Sequence, residues 1–295
     1  MRSNPRHQTG LALLMAMLIV VIATTVAVSI VHEEKYTIRK SSHIDLMDRA
    51  SLYAFGLEDW AQIYLREDRE DSDIDSLDED WATNIPGLPI EGGYLGGYIE
   101  DEQARFNINS LVGSEIAVTR FRRLCDTLEV DDSFIPALMD WIDADFDIRY
   151  PDGMEENYDT YRVANREMSD ISELMLVAKI DQEMFEKLKP YITTLPTPTT
   201  LNINTISTKV FETLGEGLDV DKFIEERESE PYDSVEEFVE RLQIPVNIEG
   251  LSVDTRFFRT HGQVVQGDQT FNMTSLIYRD DKGKTTVINR TLGLL

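Results

Sequence analysis

Twenty-one consecutive residues near the start of the chain, Leu11 to Val31, carry no charge and only Thr24, Thr25 and Ser29 as polar interruptions. Wound as a helix at 1.5 Å per residue, a run of this length covers the roughly 30 Å hydrocarbon core of a bilayer. Residues 11–31 are therefore expected to form a single-pass transmembrane helix. Arg2 and Arg6 precede it without any acid, and Glu33 and Glu34 follow it at once. That bias puts the N-terminus in the cytoplasm and the bulk of the chain on the outer side of the membrane.

A cleaved secretory signal fits this stretch poorly. Such a signal has a shorter apolar core and a small-x-small cleavage site, whereas this run ends in SIVH at 29–32. The leader MRSNPRHQTG, basic and ending in Gly10 where polarity breaks, resembles the type IV prepilin leader. The resemblance implies that a prepilin peptidase cuts after Gly10, that Leu11 becomes the methylated first mature residue, and that residues 1–10 are lost. Most members of that superfamily carry a glutamate at the fifth mature position, which here is Met15. A carboxylate inside lipid is costly unless a neighbour pairs with it, so Met15 suggests a subunit with a special place in a filament, most simply the tip.

Charge excludes one broad class of function. The 295 residues carry a formal net charge of −27, and loss of Arg2 and Arg6 would leave 26 basic against 55 acidic residues, −29. Such a field repels phosphate backbones, so a nucleic-acid partner is not expected. Cys125 is the only cysteine, which rules out an intrachain disulfide. The four histidines are scattered and no nucleophile–base arrangement stands out, so no catalytic residue is assigned and no enzyme is expected.

Beyond the membrane, Met47, Ala50, Ala54, Leu57, Ala61 and Tyr64 recur at spacings of three and four, widened by Leu46, Tyr53 and Trp60. This is one apolar stripe of an amphipathic helix over 32–66. Joined to the membrane segment it would be about 84 Å long. Residues 67–80, EDREDSDIDSLDED, hold nine acids against Arg69 and are expected to be a solvated loop without a binding role. Glycine- and proline-punctuated short runs over 85–109 indicate a β-hairpin. Three alternating segments, 257–265, 271–278 and 285–292, are joined by turns at Gln266–Asp268 and Asp280–Gly283, so the sheet resumes near the C-terminus.

Between these β segments the chain reads as helical and weakly repeated. FNINSL at 106–111 echoes LNINTI at 201–206, Phe134-Ile135 echoes Phe223-Ile224, and SDISEL at 169–174 echoes DSVEEF at 233–238. Each echo places cap-forming side chains ahead of a helical run. The expectation is two related lobes, 110–190 and 200–250, joined by a proline-containing linker. The first lobe holds an insertion of about 26 residues, the acidic loop 140–166. Eight of its first twenty residues are acids, interleaved with Trp141, Ile142, Phe146, Ile148 and Tyr150, which are expected to be buried among them. Asp143, Asp145 and Asp147 fit positions 1, 3 and 5 of an EF-hand, but Ile148 stands where glycine is needed and Met154 where the bidentate glutamate belongs. The chemistry leaves two readings open, a Ca²⁺ site of another geometry and an acidic surface loop.

The leader with Gly10, the missing glutamate at Met15, the segment DEQARFNINSL at 101–111, and DWIDAD at 140–145 followed by GME at 153–155 together resemble the K-type minor pseudopilin family of the type II secretion system. The family's usual GAE is GME here. The resemblance implies an α+β fold: a pilin-like long N-terminal helix packed on an antiparallel sheet, with a large all-helical domain inserted between strands. The pilin-like part would be 67–109 and 251–295, and the insertion 110–250. It also implies one or two structural Ca²⁺ ions, with Asp143, Asp145, Asp147, Glu155 and Glu156 as expected ligands and Asp140 and Asp152 as lesser ones. The partners it implies are the I- and J-type minor pseudopilins, the major pseudopilin and the prepilin peptidase, with the outer-membrane secretin or the cargo as further contacts. The role it implies is capping the periplasmic pseudopilus and initiating its assembly. A minor pilin of a type IV pilus is the nearest alternative, and a membrane-anchored periplasmic enzyme using paired carboxylates is the alternative from another class.

Overall fold

A computed structural model describes residues 8–154 and 162–294. Helix α1, Gln8–Asp71, is continuous for 64 residues, about 96 Å. It runs five residues past the expected end at 66, so the first part of the acidic stretch is helical. Residues 11–45 are exposed along their whole length, and among the described residues α1 is the one helix long and apolar enough to cross a membrane. Further along, Ala50, Ala54, Leu57 and Ala61 of the expected stripe are buried and Met47 and Tyr64 half-buried, while Leu65, which the spacing does not single out, is fully buried beside them. Trp60 is instead 39% exposed and stacks on Tyr64 at the margin of that stripe.

This stripe lies on a five-stranded antiparallel sheet built from β1 (Ile85–Ile90), β2 (Gly93–Asp101), β7 (Phe257–Gln266), β8 (Gln269–Arg279) and β9 (Thr285–Leu294), adjacent in that order. The helix can approach closely because two facing strand positions are glycine. A Cβ on Gly97 would stand 2.7 Å from Leu57 Cδ2 and 2.3 Å from the His261 carbonyl oxygen, and one on Gly262 would stand 2.9 Å from Leu57. Phe258, Ile277 and Trp81 close the core around Ala61 and Leu65, while Val264, Phe271 and Met273 pack under Ala50 and Ala54.

Between β2 and β7 the chain leaves the sheet and builds two lobes with separate cores. The first contains β3 (Phe106–Asn107), α2 (Glu115–Thr127), α3 (Ile135–Ile142), α4 (Gln182–Leu188) and β4 (Ile192–Thr193), centred on Phe121, Phe134 and Leu138. The second contains β5 (Leu201–Asn202), α5 (Thr208–Glu212), α6 (Val220–Ser229), α7 (Val235–Leu242) and β6 (Leu251–Ser252), around Phe211, Phe223, Tyr232 and Phe238. Helices α2, α4, α5, α6 and α7 each begin at a serine or aspartate, Ser114, Asp181, Ser207, Asp219 and Ser234. In each case that side chain accepts the N–H three residues on. A cap of this kind contributes about 1 kcal/mol to a short helix.

The internal repeat is structural as well as sequential. Parallel two-residue bridges, β3 with β4 and β5 with β6, close the two lobes. Asn109 donates to the Met168 carbonyl (3.0 Å) and accepts from its N–H (2.8 Å), and Asn204 does the same with Tyr232 (3.0 and 2.9 Å). Each buried amide thus clamps its lobe at the same place.

Candidate functional site: the distal junction and the acidic loop

The helical insertion departs at Asp101 and returns beside Phe258, paired residues at the end of the sheet nearest the C-terminus of α1. Three polar clusters hold it there. Asp101 Oδ2 accepts from Thr205 Oγ1 (2.5 Å), Thr255 Oγ1 (2.6 Å) and Asn202 Nδ2 (3.0 Å), while its Oδ1 takes the Gln103 N–H at 2.7 Å. One carboxylate thereby joins the sheet to the second lobe and to the chain returning to β7. Burial pushes its pKa up to about 6 despite these donors.

The second cluster ties α1 to the sheet. Arg279, 1% exposed, places Nη2 on Asp75 Oδ1 (2.5 Å), Asp75 Oδ2 (2.6 Å) and the Thr255 carbonyl (3.0 Å), and Nη1 on Asp68 Oδ2 (2.9 Å) and the Leu65 carbonyl (3.1 Å). Its guanidinium also lies over the Phe258 ring. Asp75 is fully buried and Ser76 nearly so, which corrects the expectation that 67–80 is a solvated loop. Two of its nine acids, Asp68 and Asp75, receive a buried cation, whereas Glu67, Glu70, Asp71, Asp73, Asp78 and Asp80 are exposed. Asp68, Asp75 and Glu79 are the one carboxylate trio among the described residues whose oxygens lie within 4.8 Å of one another, and Arg279 already serves two of its members. Burial, with Glu79 beside it, pushes Asp68 up to about 6 against the pull of Arg279.

The third cluster faces the first lobe. Buried Glu102 accepts from Arg105 (2.8 Å), Arg259 and Thr193; burial alone would raise it, but the two guanidinium groups outweigh that and hold it low. Glu100, hydrogen-bonded to His261 (3.0 Å) and paired with Arg105, is held at about 2. Sequence inspection missed all three clusters. The signal available was the run DEQAR at 101–105, two adjacent acids and a base within five residues.

In the acidic loop the described residues separate into two groups. Asp140 (0% exposed) and Asp143 (6%) are buried at the end of α3 and both carboxylates meet Arg149 Nη1, with Asp140 also accepting the Arg149 N–H. Asp143 Oδ1 is buried with no hydrogen-bond partner among the described residues. A Cβ on Gly153 would stand 2.2 Å from Asp140 Oδ2, so the loop closes over that carboxylate only with glycine at this position. Asp145 and Asp147 are exposed, with Asp145 Oδ1 accepting the Asp147 N–H (2.8 Å), and Asp152 pairs with Lys179. Glu155 and Glu156 lie outside the described residues. Trp141 and Ile142 are buried as expected, whereas Phe146 (80% exposed), Ile148 (50%) and Tyr150 (93%) are not. Those three follow the helix end, where no element among the described residues covers them. Gly10 falls inside α1, and Leu11 and Met15 are exposed on it.

Two family models, each described as type II secretion system protein K, match residues 104–197 and 201–254. The type II secretion system protein K of Pseudomonas aeruginosa is 32% identical over 98% of this chain and 94% of its own length. That of Pectobacterium carotovorum is 30% identical over 97% of each. In solved structures the fold is similar to a chain in the crystal structure of the GspK-GspI-GspJ complex of enterotoxigenic Escherichia coli, with a TM-score of 0.78 and 24% identity, covering 86% of this chain and 99% of that one. The helix on an antiparallel sheet, the two-lobed insertion at its far end and the full-length relatives agree: the chain belongs to the type II secretion system protein K family.

Proposed function

We propose that the chain is a minor pseudopilin that caps the periplasmic pseudopilus of its secretion system and helps start its assembly with I- and J-type partners. The observation that carries this reading is the position of the insertion. About 150 residues leave the sheet at Asp101 and rejoin it beside Phe258, at the end where α1 terminates and farthest from the apolar segment. A subunit stacked above would have to occupy the volume of the two lobes, so this end suits only a terminal position. Met15, which brings no carboxylate to the membrane segment, is compatible with having no neighbour to pair with it.

The same reading has the prepilin peptidase cut after Gly10, leaving methylated Leu11 at the start of an inner-membrane helix with the bulk of the chain periplasmic. Contacts with the major pseudopilin, the secretin or cargo belong to it as well. The role is mechanical, resting on docking surfaces and on the rigid junction at Asp101, Arg279 and Glu102.

A structural Ca²⁺ site in the acidic loop is part of the proposal, and the donor chemistry fits it. Two buried carboxylates, one with an unpartnered oxygen, are hard donors that suit Ca²⁺. Asp140 and Asp143 would hold the ion with Arg149 displaced, and Asp145, Asp147, Asp152, Glu155 and Glu156 are the further candidates. When bound, the ion would neutralise the carboxylates that Arg149 now balances. Two measurements test the function. Expressed with a prepilin peptidase, the chain should begin at methylated Leu11, and an intact Met1 would overturn the pseudopilin reading. Calorimetric titration of Ca²⁺ into EDTA-treated protein should show saturable binding that raises the melting temperature and weakens in Asp143→Asn. No binding at millimolar Ca²⁺ would make 140–166 an acidic surface loop.

A further inference from the structure

The sheet has two edges, and they are not alike. Both outer strands carry one register slip, but on β1 Pro86 and Pro89 also lack N–H donors, so that edge is blunted. On the other side β9 runs for ten residues without proline, about 33 Å of strand, and no strand lies beyond it among the described residues. Natural sheets rarely leave so long an edge bare unless something pairs with it.

The register shows which backbone groups are on offer. Gln266 and Gln269 flank the two-residue turn Gly267–Asp268 and so exchange both of their hydrogen bonds, which turns the even-numbered residues of β8 toward β9. Their partners Asn289 and Thr291, opposite Leu276 and Thr274, are spent on β8. Arg290 and Leu292 therefore point their N–H and C=O groups away from the sheet. Past the register shift at Leu276/Ile277, the Asp280 N–H donates to the Lys284 carbonyl (3.0 Å), and Thr286 lies opposite Tyr278 in the same phase. That leaves Val287 turned outward too. The side chains of Ile288 and Leu292 are about half exposed along this edge.

Charge narrows the occupant. Residues 255–295 hold six basic and three acidic residues, whereas the preceding 254 hold 22 basic and 52 acidic. From Lys282 onward no acid occurs. Arg290 is already paired with Glu58 (2.7 Å), so the positive charge on offer beside β9 is that of Lys282 and Lys284, which make no ion pair among the described residues. A second copy of β9 would set like charges side by side, while a strand bearing carboxylates would be attracted.

We propose that the β9 edge is the docking site for an extended, acidic strand of an adjacent pseudopilin, which adds to the sheet through the outward groups of Val287, Arg290 and Leu292. The inference rests on the proposed function and deepens it by naming the surface and the mode of contact. The test is amide hydrogen exchange on the full chain in detergent micelles, alone and with the I- and J-type pseudopilins of its own system. Alone, the Val287, Arg290 and Leu292 amides should exchange quickly while Asn289 and Thr291 are protected. In the complex the outward amides should slow at least tenfold. Leu292→Pro, which removes only an outward donor, should weaken the complex at least tenfold with the melting temperature little changed, and Lys282→Glu with Lys284→Glu should weaken it and reduce its salt sensitivity. A complex whose outward β9 amides exchange as before would overturn this inference and leave the function standing. Failure to form any complex would overturn both. Protection that grows with the concentration of the chain alone would assign the edge to a second copy and also overturn the proposal.

Discussion

Replacing Arg279 by methionine removes five donor contacts from a site 1% exposed and leaves Asp75 fully buried with, among the described residues, only the Thr255 N–H (2.7 Å) donating to its carboxylate. Stranding one member of a buried ion pair costs about 3–5 kcal/mol, because the remaining charge has lost both water and partner. For a chain of this size each kcal/mol is worth roughly 2–4 °C, so the melting temperature should fall by about 6–20 °C. Asp75→Asn in the same background removes the stranded charge and keeps the acceptor for Thr255, and it should recover at least half of that loss. Thermal melts followed by circular dichroism, with urea titration for the free energies, read both numbers. A single variant within 1 kcal/mol of the parent would refute the reasoning, and so would a double variant less stable than the single, since either result means that Arg279 is not offsetting a buried charge.

Two further outcomes follow from the junction and the repeat. Asp101 is fully buried and its pKa is pushed from 3.8 up to about 6, so the folded chain binds a proton that the unfolded chain releases. The stability this contributes is complete below about pH 3.8 and is lost as the pH rises through 6; over that range it amounts to about 3 kcal/mol. Asp68, raised in the same direction, adds to it. The chain should therefore melt higher at pH 5 than at pH 7.5, Asp101→Asn should flatten that slope, and an unchanged slope in the variant would show that another group sets it. Asn109→Ala and Asn204→Ala each leave one backbone N–H and one C=O unpaired in a buried lobe, at about 1–3 kcal/mol per group. The two should cost similar amounts in denaturant titrations, and a twofold or larger disparity would mean that the lobes are not energetically equivalent.

The features legible in the sequence are those with a short repeat along the chain. Ala50, Ala54, Leu57 and Ala61 announce their buried face by spacing, and the run to Val31 announces by length and composition a helix apolar enough to cross a membrane. The paired NIN motifs announce two lobes because the same asparagine makes the same clamp in each. Trp60 and the aromatics of 146–150 show the limit of such reading. Interleaving apolar residues with acids says that a face could be buried but not whether the fold brings anything to cover it, and Phe146 and Tyr150 are uncovered.

What only the tertiary structure decided is the state of the charges. Asp75 and Arg279 lie 204 residues apart, and Glu58 meets Arg290 at a separation of 232. In sequence each looks like one more solvated side chain in a chain of net charge −27. Desolvation depends on which atoms the fold assembles around a carboxylate, and those atoms come from distant strands. Helix, strand and turn preferences act between near neighbours and so can be read in order. The burial of Asp75, Asp101 and Glu102, the meeting of Asp140 and Asp143 at Arg149, and the bare edge of β9 arise from contacts that the order of residues does not encode locally.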